Sequence, residues 1–350
     1  MKAVSPSRRF SLSALAGAIF ILVALFATAG CGSDDDDNGS SAGGGGGGGG
    51  GSIDLVAYST PESVYQEVLE PAFQKSSEGS GVDFSSSFGA SGDQSRAVEG
   101  GQSASVVHFA QGGDMLRLVE SDVPADWDQN EFNGIGQTSV VAIVTREGNP
   151  ENIQSFDDLL EKDISIVTPN PISSGGARWN IMAVYNNALA NGKSEDQALE
   201  DVKTVLSKAE VQPTSASDAL AAFSQGQGDV LLSYENEAIR AQNEGEEIEY
   251  VVPDNTILIE TPIAVTKDAP ESAQAFVDFL WTDEGQRLWA ENGYRPVDEQ
   301  LVDEKQYPTP NGLVTIDEFG GWEKVNTEFF DEATGSVTEI EQELGVPTAG

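Results

Sequence analysis

From Ile53 onward the chain alternates strand-like and helix-like segments, and this alternation constrains its fold more than any other feature. "IDLVAYS" is apolar and β-branched. "PESVYQEVLEPAFQKSS" follows with Val64, Tyr65, Val68 and Leu69 on one face, and Pro71 kinks that helix or divides it in two. "VDFSSSFGA" reads as a strand, "SGDQSRAVEGG" as a short helix and "ASVVHFA" as another strand. Such a βαβ rhythm implies a mainly parallel sheet flanked by helices.

"TSVVAIVTREGNP" (138–150) is a long strand ending in a Gly-Asn-Pro turn, and after it the pattern restarts. Helix "SFDDLLE", strand "ISIVTPN", a helix to about Ala190, helix "SEDQALEDVKTVLSKA", strand "VQPT", helix "SDALAAFSQG" and strand "DVLLSYENEA" come next. "EYVVP" and "ILIETPIAVTK" are strands again, and "ESAQAFVDFLWTDEGQRLWAENG" has a helical pattern. The expected fold is α/β with two lobes. Residues 53–140 and 260–335 form the first lobe, the inserted 141–259 the second, and 336–350 a frayed tail. Two lobes joined by two crossings leave a cleft, and α/β sheets bind ligands at the carboxyl ends of their strands.

The segment before this domain reads as an address and a tether. Lys2, Arg8 and Arg9 precede an apolar run from Leu12 to Ala27, as in a secretory signal peptide spanning residues 1–30. A single membrane anchor is the competing reading of that run. Small residues Thr28-Ala29-Gly30 lead into Cys31, the chain's one cysteine, which favours cleavage and lipidation there over a free thiol. Residues 31–52, rich in Asp, Gly and Ser, cannot bury a core and read as a flexible linker of roughly 25 Å reach by coil scaling.

Composition removes several functions. With 18 lysines and arginines against 58 acids, the formal net charge is -40. Nucleic-acid binding needs clustered cations and is excluded as a partner class. One histidine, His108 in an apolar strand, and no cysteine beyond Cys31 leave no zinc site or histidine-based triad. No cofactor is expected, and the chain does not read as an enzyme.

Four turns share one design, in which small hydroxyl or glycine residues follow a strand and open a helix. They are Ser59-Thr60 before Pro61, Ser91-Gly92, Ser173 to Gly176, and Thr214 to Ser217. The first turn of a helix has backbone N–H groups without intrahelical partners, and the macrodipole makes that end positive. Glycine lets a ligand oxygen come close, and serine hydroxyls can rotate to donate. Taken singly, each turn is most simply an N-cap. Together they point to an exported, two-lobed binder of a small anion held by neutral groups.

"VTPNPISSGGARWN" (167–180), "GDVLLSYENEA" (228–238), "GYRP" (293–296) and "TIDEFGGW" (315–322) resemble the periplasmic sulfate-binding proteins that serve ABC importers. The resemblance runs from about residue 53 to 330. It implies a type II periplasmic-binding fold, a sulfate anion as ligand (with thiosulfate as an alternative), and the permease and ATPase of an importer as membrane partners of a monomer. On this resemblance Ser174 donates its hydroxyl, Gly175 and Gly176 donate backbone N–H groups, and Ser91 and Ser215 lie at further donor positions, with Ala216 competing with Ser215. Arg178 braces the helix start without touching the anion; a surface or interlobe salt bridge is its plainer role. Three positions depart from the family's pattern: Ser59 stands for an aspartate, Tyr234 for an indole donor, and Asp93 for a lysine. An Asp93 carboxylate facing the ligand would suit hydrogen phosphate, whereas in the helix's first turn it would face solvent. Molybdate, tungstate or phosphate are rival ligands, and an anion-sensing lipoprotein is the rival role. A hydrolase of sulfate esters ranks last, for want of a nucleophile or metal cluster.

Overall fold

The computed structural model describes residues 51–347. The signal segment, Cys31 and nearly all of the linker lie outside these residues. Strand β1 (Ser52–Tyr58) runs into a helical stretch, α1 (Glu62–Val64) and α2 (Glu70–Lys75), joined by a π-helical turn over Tyr65–Leu69. Pro71 sits in the first turn of α2, where its missing N–H costs nothing, so the expected division falls there. Then come β2 (Asp83–Gly89), α3 (Ser91–Glu99), β3 (Val106–His108), α4 (Gly112–Leu116) and the twelve-residue β4 (Ile135–Arg146).

The pattern restarts with α5 (Phe156–Glu161), β5 (Ile166–Val167), α6 (Gly175–Ala190), α7 (Glu195–Ser207) and β6 (Ala209–Val211). It continues through α8 (Ala216–Ser224), β7 (Val230–Tyr234), α9 (Glu235–Asn243), β8 (Ile248–Val251) and β9 (Leu258–Val265). Helices α10 (Glu271–Leu280), α11 (Asp283–Glu291), α12 (Gly321–Phe329) and α13 (Ser336–Leu344) complete the chain. The single helical pattern expected over 271–293 is thus two helices, because the Thr282 hydroxyl caps the start of α11. The expected strand at "VQPT" ends at Val211, and the following residues lead to the cap of α8.

The strands follow the order β2-β1-β3-β9-β4-β7-β5-β6, with β8 paired to β4. Within each half the βαβ strands are parallel: β1 with β2 and β3, and β5 with β6 and β7. The crossing strands β4 and β9 are antiparallel to their neighbours. Along β4, residues Ile135 to Val140 pair with β9, and Val141 to Thr145 pair with β7. One strand therefore belongs to both halves and changes partners at Val140–Val141. β1 buries Ile53, Leu55 and Ala57 on one face and Val56 on the other, so the sheet is covered on both sides.

The C-terminal region departs from expectation. Trp322, Val325 and Phe329 of α12 pack into the core formed by α6 and α7, with Trp322 edge-on to Trp179 at 4.6 Å between ring centroids. Helix α12, expected in the first lobe, packs both on α4 of that lobe and on α6 of the inserted half. The frayed tail is corrected: Val337 and Ile340 of α13 are buried, with Leu344 packed against the same core. Their i, i+3, i+7 spacing gives α13 an apolar stripe that finds its cover on Val202, Val205 and Leu206 of α7.

Candidate anion site

Helix α6 opens the site. Ser174 is its N-cap, accepting the Ala177 N–H at 3.4 Å, and Gly175 and Gly176 are the first two helical residues. Their N–H groups have no intrahelical acceptor by helix geometry. The helix is buried almost all round, so its start lies in the protein interior.

Two further helices of eight or more residues begin nearby. At α3, the Gly92 N–H donates to Ser173 O at 3.2 Å, which ties the α3 and α6 starts together. At α8, Ser215 caps the helix, accepting the Asp218 N–H at 3.1 Å while donating its hydroxyl to Asp218 Oδ2 at 2.7 Å. Between these starts lies a cavity of ≈ 10 Å³, lined by Tyr58, Ser59, Thr60, Gly89, Ala90, Ser91, Ala110, Ser174, Gly176, Ala216 and Tyr234. That is room for one water-sized body or little more, which excludes an organic solute while the walls stay as they are. The wall contains no lysine, arginine, aspartate or glutamate. Its residues come from β1, β2 and β3 with their following turns on one side, and from the α6, α8 and β7 region on the other.

Tyr234, the last residue of β7, is buried, and its hydroxyl has no hydrogen-bond partner. A methyl group at Gly176 would sit 3.3 Å from both this hydroxyl and Ser174 Oγ, and 3.4 Å from Ala216 Cβ. The glycine thus keeps open a space that two hydroxyls face. Burial, with the nearby Tyr58, Glu237 and Asp114, pushes the Tyr234 phenol well above its ordinary pKa, so it keeps its proton and can donate.

Ser91 behaves differently from Ser174. Its Oγ accepts the Ala110 N–H at 3.0 Å and donates to Asp114 Oδ2 at 2.7 Å. The hydroxyl points back into the protein, leaving the Ser91 backbone N–H as that residue's free donor type. Asp114, on α4, is only 2 % exposed and also receives Arg117 Nη1 at 3.3 Å. It was not singled out from the sequence, where its only signal is an acid in the first turn of a short helix.

Other expected residues separate. Gly175 does not line the cavity; a methyl group there would meet Ala110 Cβ at 2.9 Å, so its lack of a side chain allows α6 to approach the strand end after β3. Ser215, expected near a backbone donor, does not line the cavity and uses its hydroxyl within α8, whereas Ala216, the competing residue, lines the cavity. Ser59 lines the cavity, and so does Thr60, whose hydroxyl reaches Glu237 Oε1 at 3.4 Å. Glu237 also accepts the Ser233 hydroxyl, and burial raises its pKa against the opposing effects of Ser233 and Arg240. Asp93 is half exposed and paired with Arg96, facing away from the cavity. Arg178 donates to Pro171 O at 2.9 Å and to Asn326 Oδ1 at 2.8 Å, with its guanidinium 5.0 Å from the Phe330 ring centre. It holds the turn before α6 to α12, and no carboxylate lies within salt-bridge distance of it among the described residues.

His108 is fully buried, with Tyr65 Oη 2.6 Å from Nδ1 and Thr261 Oγ1 3.0 Å from Nε2. Burial lowers its pKa to about 3, so it is a neutral core residue. Among the described residues there is no metal-holding cluster of His, Cys, Asp and Glu, and no helix long and apolar enough to cross a membrane.

Residues 53–295 match the family model described as "Bacterial extracellular solute-binding protein". The chain belongs to that family. It is 37 % identical over 296 residues to a sulfate-binding protein of Synechocystis sp., a match covering 80 % of this chain and 84 % of the relative. It is 32 % identical to a thiosulfate-binding protein of Pseudomonas aeruginosa over 294 residues, covering 79 % and 88 %. Among solved structures, the sulfate-binding protein SubI from Mycobacterium tuberculosis is 42 % identical with a TM-score of 0.77, covering 80 % of this chain and 99 % of that one. The fold is the two-lobed type II periplasmic-binding fold. These relatives are binding proteins that act outside the cytoplasm, and the neutral cavity between the halves suits that role.

Proposed function

We propose that this solute-binding protein captures sulfate in the cavity bounded by α3, α6 and α8, and delivers it to the permease and ATPase of an ABC importer. The observation that carries the reading is a cavity sized for a compact ion, with no charged residue on its wall and an unpartnered phenol facing it. A dianion would take hydrogen bonds from the Ser174 and Tyr234 hydroxyls and from backbone N–H groups at Ser91, Gly176 and Ala216. Helix dipoles would supply the remaining attraction. Bridging both halves, the anion would favour the closed arrangement, and opening would release it to the importer.

Sulfate is fully deprotonated near neutral pH and needs donors only. Hydrogen phosphate carries a proton that wants an acceptor, and the wall offers no carboxylate because Asp93 faces solvent. A lipid on Cys31, after removal of residues 1–30, would hold a monomer at the outer face of the cytoplasmic membrane. The small residues before a lone cysteine and the tether after it support this anchor.

Calorimetric titration of the protein, stripped of ligand by unfolding and refolding, tests the reading against sulfate, thiosulfate, molybdate and phosphate. Sulfate should bind at micromolar affinity or better, about -8 kcal/mol, with phosphate silent. Silence toward sulfate alongside phosphate or molybdate binding would overturn the ligand assignment. Mass spectrometry of the membrane-derived protein should find a lipidated N-terminal Cys31; an unmodified thiol would remove the anchor.

A further inference from the structure

Helix α12 is seated on glycine. Trp322 and Asn326, four residues apart, share one face of it. A methyl group at Gly112 would meet Trp322 Cδ1 at 2.9 Å, and one at Gly113 would overlap the Asn326 amide nitrogen. The glycine pair that opens α4 therefore lets α12 come up against the backbone there, with a polar side chain at the contact.

Asn326 is half-buried, and its amide is used at both ends. Its Oδ1 accepts Arg178 Nη1 at 2.8 Å, and its Nδ2 donates to Gln111 Oε1 at 3.3 Å. This orientation is forced. A guanidinium has only donors, so the amide oxygen must face it. Gln111 Oε1 is fixed as well, because it takes the Gly113 N–H at 2.6 Å, and the Asn326 nitrogen thus faces an acceptor.

The two partners belong to different halves of the fold. Gln111 caps α4 and follows Ala110, which lines the cavity and donates its N–H to Ser91 Oγ. Arg178 is on α6 and, through Pro171 O at 2.9 Å, holds the turn that leads to Ser174. One amide therefore spans the chain after β3 and the start of α6, and both carry wall residues of the cavity. A second bond, Trp179 Nε1 to Ala110 O at 2.6 Å, crosses the same seam.

We propose that Asn326 is a positioning residue for the anion site, tying the α4 and α6 sides of the cavity together without touching the ligand. The ligand used in the test rests on the sulfate reading above; the tie itself does not. An enclosed anion leaves only when the halves part, so a bond across them acts on dissociation more than on association.

Asn326→Leu, which is close in volume, removes both bonds. In the full-length protein, stopped-flow tryptophan fluorescence should show sulfate leaving about ten-fold faster, with association within about two-fold of wild type. Gln111→Met breaks the same tie from its other end and should also speed release. The double variant should release sulfate no faster than the quicker single variant, since one tie is lost only once. Thr327→Ala, whose hydroxyl bonds to Glu323 O of its own helix, should behave as wild type. An unchanged off-rate in Asn326→Leu, with or without a lower melting temperature, would overturn the proposal, as would effects that multiply in the double variant. Wild-type protein silent toward sulfate would sink the sulfate reading instead, and hydrogen exchange of the ligand-free protein then decides. Asn326→Leu should speed exchange at both 110–113 and 172–177; a change at one segment alone, or at neither, would overturn the tie.

Discussion

The starts of α3 and α6 face one cavity, and each joins a serine to a glycine, yet they use the serine hydroxyl in opposite ways. At α6, Ser174 Oγ accepts a long 3.4 Å bond from its own helix and remains able to donate into the cavity. At α3, Ser91 Oγ is committed behind the helix to Asp114 and Ala110. The local sequences are close, but what stands behind them differs. A serine at a helix start is therefore a donor to ligand only where no buried acceptor competes for its proton. At Ser91, Asp114 competes and wins, because a buried carboxylate left unpaired costs more than an exposed bond gains.

The most damaging test of this contrast is Gly176→Ala. The added methyl would lie against Ser174 Oγ and Tyr234 Oη and occupy space the anion needs. Sulfate affinity should fall by about 100-fold or more, a loss of about 3 kcal/mol or more, with little change in the melting transition. Retained affinity would mean the anion lies elsewhere.

The paired variants Ser174→Ala and Ser91→Ala come next. Ser174→Ala should lower sulfate affinity by roughly ten- to hundred-fold, and cost stability only about 1 kcal/mol through the lost cap. Ser91→Ala should reverse the emphasis: it leaves the Asp114 carboxylate short of a partner and should cost about 2 kcal/mol of stability with a smaller effect on affinity. Calorimetry and denaturant melts on both variants measure the two orders. If the orders coincide, the contrast between the helix starts fails.

Tyr234→Phe sharpens the donor side. The phenol oxygen is buried and unpaired, so its removal should leave the ligand-free protein equal in stability or about 1 kcal/mol more stable. Sulfate affinity should drop about ten-fold at the same time. Smaller still is Ser215→Ala, at a helix start whose hydroxyl is used wholly within α8. It should cost about 1 kcal/mol of stability, with sulfate affinity unchanged.

A final contrast sets the cavity against α13, where stability rather than binding responds to pH. Glu341 is buried with one carboxylate oxygen unpaired, and burial raises its pKa from 4.5 to about 7, against the Gln212 bond that lowers it. Between those values the folded chain binds more protons at this residue than the unfolded chain does. This contribution to stability is therefore present at low pH and is lost as pH rises through about 7. Between pH 5 and 7 the stability of wild type should fall with rising pH relative to that of Glu341→Gln, which cannot titrate at that position; melts that stay parallel over this range would remove Glu341 from the account.

Much of this molecule was legible before its structure. The βαβ rhythm and the glycine pair at α6 are patterns that recur within a turn or a strand. Other features were hidden. Helix α13 has a clear apolar stripe at Val337, Ile340 and Leu344, but its position near the chain end suggested a tail, and only α7 explains why the stripe is buried. At α8, no local rule distinguishes Ser215 from Ala216 as the residue that lines the cavity, because the choice depends on where the helix points.

The sequence by itself determined the α/β class, the exported character and the small hydroxyl and glycine residues that open the helices. Each of these rests on periodicity, capping or composition, which act over a few residues or over the whole chain without regard to geometry. The tertiary structure decided which hydroxyls face the cavity, that Asp114 accepts the Ser91 hydroxyl from 23 residues away, and that the C-terminal helices pack against the inserted half. Those outcomes depend on competition among buried polar and apolar groups brought together from distant positions, and burial is settled only when the whole chain has packed.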